Sequence, residues 1–216
     1  MEKLYKQAQE DEFFRQEFLN QFLKKYPGEG VSHLIYHTQE SFEKFLNSLR
    51  KKGVSEENIK HLLDSSKMHK GTDISLFAFL PRSNLGTGKK SQIFVTTDCF
   101  NLNYKDFISV LVDHEYIHAN HVKQGIILKR GLEISYLNFQ YFNPSIVLLI
   151  DECIAYQNTL IKAIKNRNLS SQIKSAIRTF KEYNDKLKKF HEFKSSAEEA
   201  AVKFVLEKND EILRDL

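Results

Sequence analysis

His114, Glu115 and His118 stand in an HExxH spacing. Histidines four residues apart on an α-helix lie on one face, one turn apart, so both imidazoles can bind a single metal ion. Glu115 would lie about 100° round the helix, where a carboxylate can hold a water molecule without binding the metal. Two neutral nitrogen donors and one proton acceptor are the groups that metal-assisted hydrolysis needs.

A catalytic zinc site needs a third protein ligand, and two residues compete for that role. Glu152 is a carboxylate inside an apolar segment, where burial of its charge is costly unless a cation compensates it. His121 returns near the face of His118, but it lies about 10 Å along the axis from His114. Three ligands in line on one straight helix cannot easily surround a tetrahedral ion. The pattern therefore favours Glu152 as the third ligand, with His121 at the surface or beside the site.

The segments around these residues have the pattern of buried helices. Asn103 is a candidate N-cap, and Asp106 is favourably placed near the positive end of the helix dipole. A second helix is expected to start at Asn143-Pro144 and to continue to about Lys165, with Glu152 in its interior. Apolar residues at helical spacing continue through the HExxH motif, namely Phe107, Ile108, Leu111, Val112, Ile117 and Val122.

An HExxH motif followed by a glutamate in an ExxA sequence on a later helix resembles the gluzincin-type zinc metallopeptidases. The resemblance covers about residues 74–165. It implies a zinc ion (Zn2+), an active-site helix, a glutamate helix and a small sheet whose edge strand binds an extended peptide. The positions that carry it are His114, Glu115, His118, Glu152 and Ala155.

The chain departs from this family at one position. Many members have an aspartate four residues after the ligand glutamate, where it hydrogen-bonds a zinc histidine, and here that position is Tyr156. Metal-binding histidines normally need such a partner. The partner must then be Asp151, Asp113, a backbone carbonyl or a group that the sequence does not identify.

These residues predict zinc-dependent hydrolysis of a peptide bond in a peptide or protein substrate. Glu115 would take a proton from water and pass it to the leaving amine. Tyr156 and His191 are the candidates for the donor that stabilises the developing oxyanion, and Tyr156 is taken with Glu115 as catalytic. A second interpretation is a regulatory or interaction module on a zincin scaffold, with very narrow or no proteolytic activity. A third is a helical binding protein whose HExxH is accidental.

The composition predicts one domain of the α+β class, predominantly α-helical. The 216 residues are 41% hydrophobic, with 17 Phe and 9 Tyr, and they include only three Pro and eight Gly. We expect an N-terminal helical part over residues 1–70, a zincin-like core with a small antiparallel sheet over 71–168, and C-terminal helices over 169–216.

Periodicity predicts the individual elements of these parts. The strand nearest the HExxH helix, Ser91 to Thr97, has two interpretations. It could pair with extended substrate as an exposed edge strand, or the two predicted strands could only form a hairpin that covers the helices. The expected helices cover residues 1–25, 39–51, 55–66, 169–190 and 194–214, and the other strand covers Ile74 to Leu80.

Partners and location follow from what the sequence lacks. No apolar run approaches the ~18 residues of a membrane span, and no signal peptide is visible, so a cytoplasmic location is expected. Basic residues between Lys162 and Lys194 interleave with apolar ones as on an amphipathic helix, and no nucleic-acid partner is expected. Cys99 and Cys153 are expected to be free thiols rather than a disulfide.

Overall fold

The computed structural model describes residues 1–38, 85–167 and 170–216, together with isolated positions between 40 and 79. The predicted helices over 39–51 and 55–66 fall outside the described residues except at isolated positions, as does the predicted strand Ile74 to Leu80 except at Ala78–Phe79. Helices predominate over two small sheets, which confirms a mainly helical α+β chain. No helix in the described part of the chain has the length and apolarity needed to cross a membrane.

The N-terminal segment forms two helices where one was predicted over residues 1–25. Helix α1 covers Glu2–Glu10 and α2 covers Arg15–Lys25. Between them Asp11 is extended, and its carboxylate accepts a 2.9 Å hydrogen bond from the Phe13 backbone N–H, which starts a new helical turn. The apolar pattern crosses this break because both helices bury side chains in the same hydrophobic cluster.

The main sheet has three strands, with β3 (Ser91–Thr96) between β1 (Val31–His37) and β2 (Ala78–Phe79). The β1 strand was not predicted. Because β1 runs parallel to β3 and β2 runs antiparallel to it, the sheet is mixed, and the prediction of an antiparallel sheet is incomplete. A parallel pair needs a long crossover, which the segment between β1 and β3 supplies.

The central position of β3 contradicts the interpretation of Ser91 to Thr97 as an exposed edge strand. Ile93 and Val95 are fully buried, and β3 is paired on both sides. At the outer edge of β1 the Gln16 side chain donates to the Leu34 carbonyl and accepts from the Tyr36 N–H, both at 2.9 Å. This helix side chain therefore satisfies backbone groups that a further strand would otherwise use.

Three consecutive helical segments form the stretch that contains the HExxH residues in its second and third segments, and we call them together the motif helix. They are α3 (Tyr104–Ile108), a π segment (Ser109–Glu115) and α4 (Tyr116–Gln124). The Asn103 side chain accepts a hydrogen bond from the Asp106 N–H at 2.9 Å, which confirms the predicted N-cap. A hairpin that was not predicted follows, formed by β4 (Ile126–Lys129) and β5 (Leu132–Ile134).

Three long helices complete the chain. Helix α5 (Pro144–Lys165) is capped by Asn143, as predicted, and is followed by α6 (Ser171–Lys188) and α7 (Ser196–Asp215), close to the predicted bounds. The motif helix packs in one hydrophobic cluster with α1, α2, β1 and β3, and α5 packs in a second with α6, α7 and the hairpin. Cys99 lies in the first cluster and Cys153 in the second, and both are free and buried.

Candidate metal centre

Side chains from the motif helix and from α5 converge where the two hydrophobic clusters meet. The Nε2 atoms of His114 and His118 are 3.3 Å apart, and the Glu152 Oε2 atom is 3.7 Å from each of them. The ligand atoms of these three residues lie within 4.8 Å of one another, so the group could hold a metal ion. The structure thus brings the three predicted ligands together from two separate helices.

The three side chains differ in their exposure. The His118 side chain is 3% exposed, whereas those of His114 and Glu152 are 14% and 11% exposed. The candidate ligands are thus mostly buried, and His114 and Glu152 keep a small contact with solvent.

Asp151 is the hydrogen-bond partner of His118. Its Oδ1 atom lies 2.9 Å from the His118 Nδ1 atom, and the same oxygen lies 2.5 Å from the Nδ1 atom of His121. When ionised, the Asp151 carboxylate only accepts hydrogen bonds, and these two contacts then require a proton on both Nδ1 atoms. The His118 Nε2 atom is then left with its lone pair, and it is the atom that faces His114 and Glu152.

Asp113, another candidate partner from the sequence, has a different role. Its carboxylate lies 2.7 Å from the Lys162 Nζ atom. Its backbone carbonyl accepts a hydrogen bond from the Asn158 side chain at 2.6 Å. The Thr159 hydroxyl lies 3.2 Å from the same carbonyl and shares its proton with the Ala155 carbonyl at 3.1 Å. All three donors belong to α5, so Asp113 connects the π segment to the helix that carries Glu152.

Glu115 is buried at the edge of the cluster, with 8% of its surface exposed. Its negative charge contributes to raising the pKa of the Cys99 thiol and of the Tyr156 hydroxyl, so its carboxylate lies within electrostatic reach of both groups. Burial is the larger cause for Cys99 and raises its pKa well above the ordinary value. The Cys99 thiol therefore stays protonated and is a poor metal ligand.

Tyr156 packs against one of the candidate ligands. Its ring centroid is 4.4 Å from that of His114. Burial raises the pKa of its hydroxyl well above the ordinary value, and the charges of Glu152, Tyr183 and Glu115 add to this effect. The hydroxyl therefore keeps its proton, and it is hydrogen-bonded with the Thr179 side chain of α6.

The two remaining candidate histidines lie in different environments. Of the two expected places for His121, at the surface or beside the site, the structure shows the second: His121 is 7% exposed and contacts Asp151 instead of joining the His114, His118 and Glu152 group. His191 is exposed in the link between α6 and α7. The structure therefore places the Tyr156 ring against His114 and leaves His191 in solvent.

Sequence reasoning missed the contacts that hold the two helices in register. Asn158 and Thr159 are polar residues in the middle of an apolar helix, two turns beyond Glu152, and this pattern is the signal that could have indicated them. Their partner is a backbone carbonyl, which no sequence motif reveals.

In comparisons with protein-family models, with curated proteins and with solved structures, the chain gives no significant match.

Proposed function

We propose that this protein is a zinc-dependent hydrolase, and specifically a metallopeptidase, in which His114, His118 and Glu152 bind the metal. One observation carries the proposal, namely the convergence of two imidazole nitrogens and one carboxylate oxygen at 3.3 and 3.7 Å from one another. Two histidines and one glutamate are a known ligand set of catalytic zinc sites, which leave the fourth position for water or substrate.

The spacing of the donor atoms supports zinc in particular. Tetrahedral coordination with bonds of about 2.0–2.1 Å separates two ligand atoms by about 3.3 Å, whereas octahedral coordination with the same bonds separates them by about 2.9 Å. The two histidine nitrogens are 3.3 Å apart, and the glutamate oxygen is a few tenths of an ångström farther away at 3.7 Å. Magnesium and calcium prefer oxygen ligands, so the two imidazoles also favour zinc over these ions.

The surrounding side chains supply the remaining groups for hydrolysis. A zinc ion in this position would lower the pKa of a water molecule and polarise a carbonyl oxygen. Glu115, buried beside the cluster, would take the proton and deliver it to the leaving amine. Tyr156 keeps its proton and would donate a hydrogen bond to the developing oxyanion.

The choice of a peptide bond rests on the gluzincin-type resemblance of the HExxH and ExxA residues. The sheet adds a physical argument, because in the described part of the chain β2 is one of its two outer strands and lies beside the π segment. An extended peptide can add to an outer strand through main-chain hydrogen bonds, which need no particular side chains. Such a peptide would run past the candidate ligands.

Metal analysis and a peptide library test the proposal. Protein purified without added zinc should contain one zinc ion per chain, and Glu152→Ala should lower that content. Glu115→Gln should keep the zinc and abolish cleavage, because the amide cannot take a proton. Glu133→Gln, an exposed glutamate on β5, is the matched control and should change neither property.

Two results would reject the proposal in different ways. Cleavage by Glu115→Gln at the wild-type rate would show that the proton acceptor is not Glu115 and that the hydrolase assignment is wrong. A protein that contains zinc but cleaves no peptide in a broad library would instead favour the regulatory or interaction module.

A further inference from the structure

We propose that His121 is a positioning residue of the metal centre, which acts through Asp151 to hold His118 in the orientation that binds the cation. The proposal rests on the proposed function only in that the same three side chains bind the metal. It concerns cation affinity, and hydrolysis is not required for it.

The contact geometry carries this inference. The Nδ1 atoms of His118 and His121 lie 2.9 and 2.5 Å from the same oxygen of Asp151. All three residues are buried, with 3% to 7% of their surface exposed. His118 and His121 are three residues apart on α4, so they lie one turn apart on one face, and the Asp151 carboxylate of α5 lies between them.

These three residues also meet the distance criterion for a second metal site, and the distances decide against it. Two ligands of one tetrahedral metal ion are about 3.3 Å apart. The contacts of 2.5 and 2.9 Å between nitrogen and oxygen are hydrogen-bond distances. In addition, His118 has only one other ring nitrogen, and this atom faces His114 and Glu152.

The second hydrogen bond has a consequence for the ligands. A buried carboxylate is costly without donors, and each donor restricts its rotation about the side-chain bonds. His121 supplies a second donor to the oxygen that His118 also contacts, which fixes that oxygen in place. Since Asp151 directly precedes Glu152 on α5, this contact also fixes the turn that carries the third ligand.

Replacement of His121 tests the role directly. Measured by chelator competition, the zinc Kd of His121→Leu should rise about 10-fold, the low end of the effect of losing a ligand's own hydrogen-bond partner, because His121 acts through Asp151. His121→Asn places an amide N–H near the position of Nδ1 and should restore the Kd to within about threefold of wild type. His33→Leu, at an exposed histidine on β1, is the matched control and should leave the Kd unchanged.

Two further measurements separate positioning from a general loss of structure. The melting temperatures of the metal-free variants report whether each one folds. The visible absorption of the cobalt-substituted protein reports the coordination geometry, and it should change in His121→Leu and return in His121→Asn.

Each of two results would overturn the inference. A folded His121→Leu with the wild-type zinc Kd would show that His121 does not affect the metal centre. If His121→Asn binds zinc as weakly as His121→Leu, the lost hydrogen bond to Asp151 is not the cause of the lower affinity. If wild type binds zinc and cleaves nothing, the hydrolase proposal fails, while these affinity ratios still test His121.

Discussion

The side-chain amide of Asn158 donates a 2.6 Å hydrogen bond to the backbone carbonyl of Asp113, the residue before His114. The hydroxyl of Thr159 shares its single proton between this carbonyl, at 3.2 Å, and the Ala155 carbonyl of its own helix, at 3.1 Å. A π segment departs from the regular α-helical hydrogen-bond pattern, and side-chain donors from a neighbouring helix can supplement the bonds to its carbonyls. Here the donors come from α5, which also carries Glu152. The π segment and the candidate third ligand, Glu152, are thus connected through α5.

Removal of this contact should affect metal binding as well as stability. Asn158→Ala should lower the free energy of unfolding by about 1–2 kcal/mol, because a partly buried carbonyl loses a donor. It should also weaken zinc binding up to about tenfold, because the two helices that carry the ligands lose a fixed register. Urea denaturation and chelator competition measure the two effects.

The neighbouring residue provides the control for this experiment. The Gln157 amide donates at 2.7 Å to Asn209 of α7, away from the motif helix. Gln157→Ala should therefore lose a similar amount of stability and keep the wild-type zinc Kd. Equal zinc affinities in Asn158→Ala and Gln157→Ala would contradict the proposed connection.

The hydroxyl of Tyr156 should matter for turnover and not for metal binding. Tyr156→Phe keeps the ring that contacts His114 and removes the donor, so zinc content should stay at the wild-type value while kcat falls about 100-fold or more. His191→Ala, at the exposed rival position, should leave kcat unchanged. Steady-state kinetics on a library peptide that the wild type cleaves would measure both kcat values. A low kcat in His191→Ala together with the wild-type kcat in Tyr156→Phe would assign the oxyanion role to His191.

Gly30 should not tolerate a side chain. A Cβ atom at this position would lie 2.3 Å from the Ala119 carbonyl oxygen of the motif helix, and the Gly30 N–H donates at 2.8 Å to Asn120. Because backbone cannot move as a flexible side chain does, Gly30→Ala should lower the free energy of unfolding by about 1–3 kcal/mol or more.

Gly131 provides a contrast for this prediction. It has a φ of +79°, and a Cβ atom there meets no neighbour within 4 Å. Asn tolerates this left-handed backbone region, so Gly131→Asn should cost less than about 1 kcal/mol. Urea denaturation measures both free energies of unfolding. If Gly131→Asn loses more stability than Gly30→Ala, the contact between Gly30 and the Ala119 carbonyl is not tight.

Both cysteines should be unreactive in the folded protein. Burial raises the pKa of the Cys153 thiol to about 12 and that of Cys99 well above its ordinary value. Since the thiolate is the reactive form, an alkylating reagent at pH 8 should modify neither residue until a denaturant unfolds the chain. Mass spectrometry of the labelled protein measures this, and rapid labelling of the native chain would contradict the burial.

Local sequence patterns determined the helices and the identity of the candidate ligands. The HExxH spacing, the Asn103 cap and the Asn143-Pro144 start depend on residues within one or two turns of each other, so their physical causes can be read directly from the chain. The apolar surroundings of Glu152 likewise indicate that a cation or a hydrogen-bond donor must compensate its charge.

Contacts between distant segments decided the rest. The parallel pairing of β1 with β3 depends on strands far apart in the chain, and the π segment depends on donors from α5 that lie more than forty positions away. His118 pairs with Asp151 and not with Asp113 because of the way the motif helix and α5 face each other. The same arrangement buries His121. Sequence periodicity reports which face of each helix is buried, whereas the rotation and register of two helices against each other are set by packing. The sequence therefore identified the candidate ligands and their possible partners, and only the tertiary structure determined which of these residues are in contact.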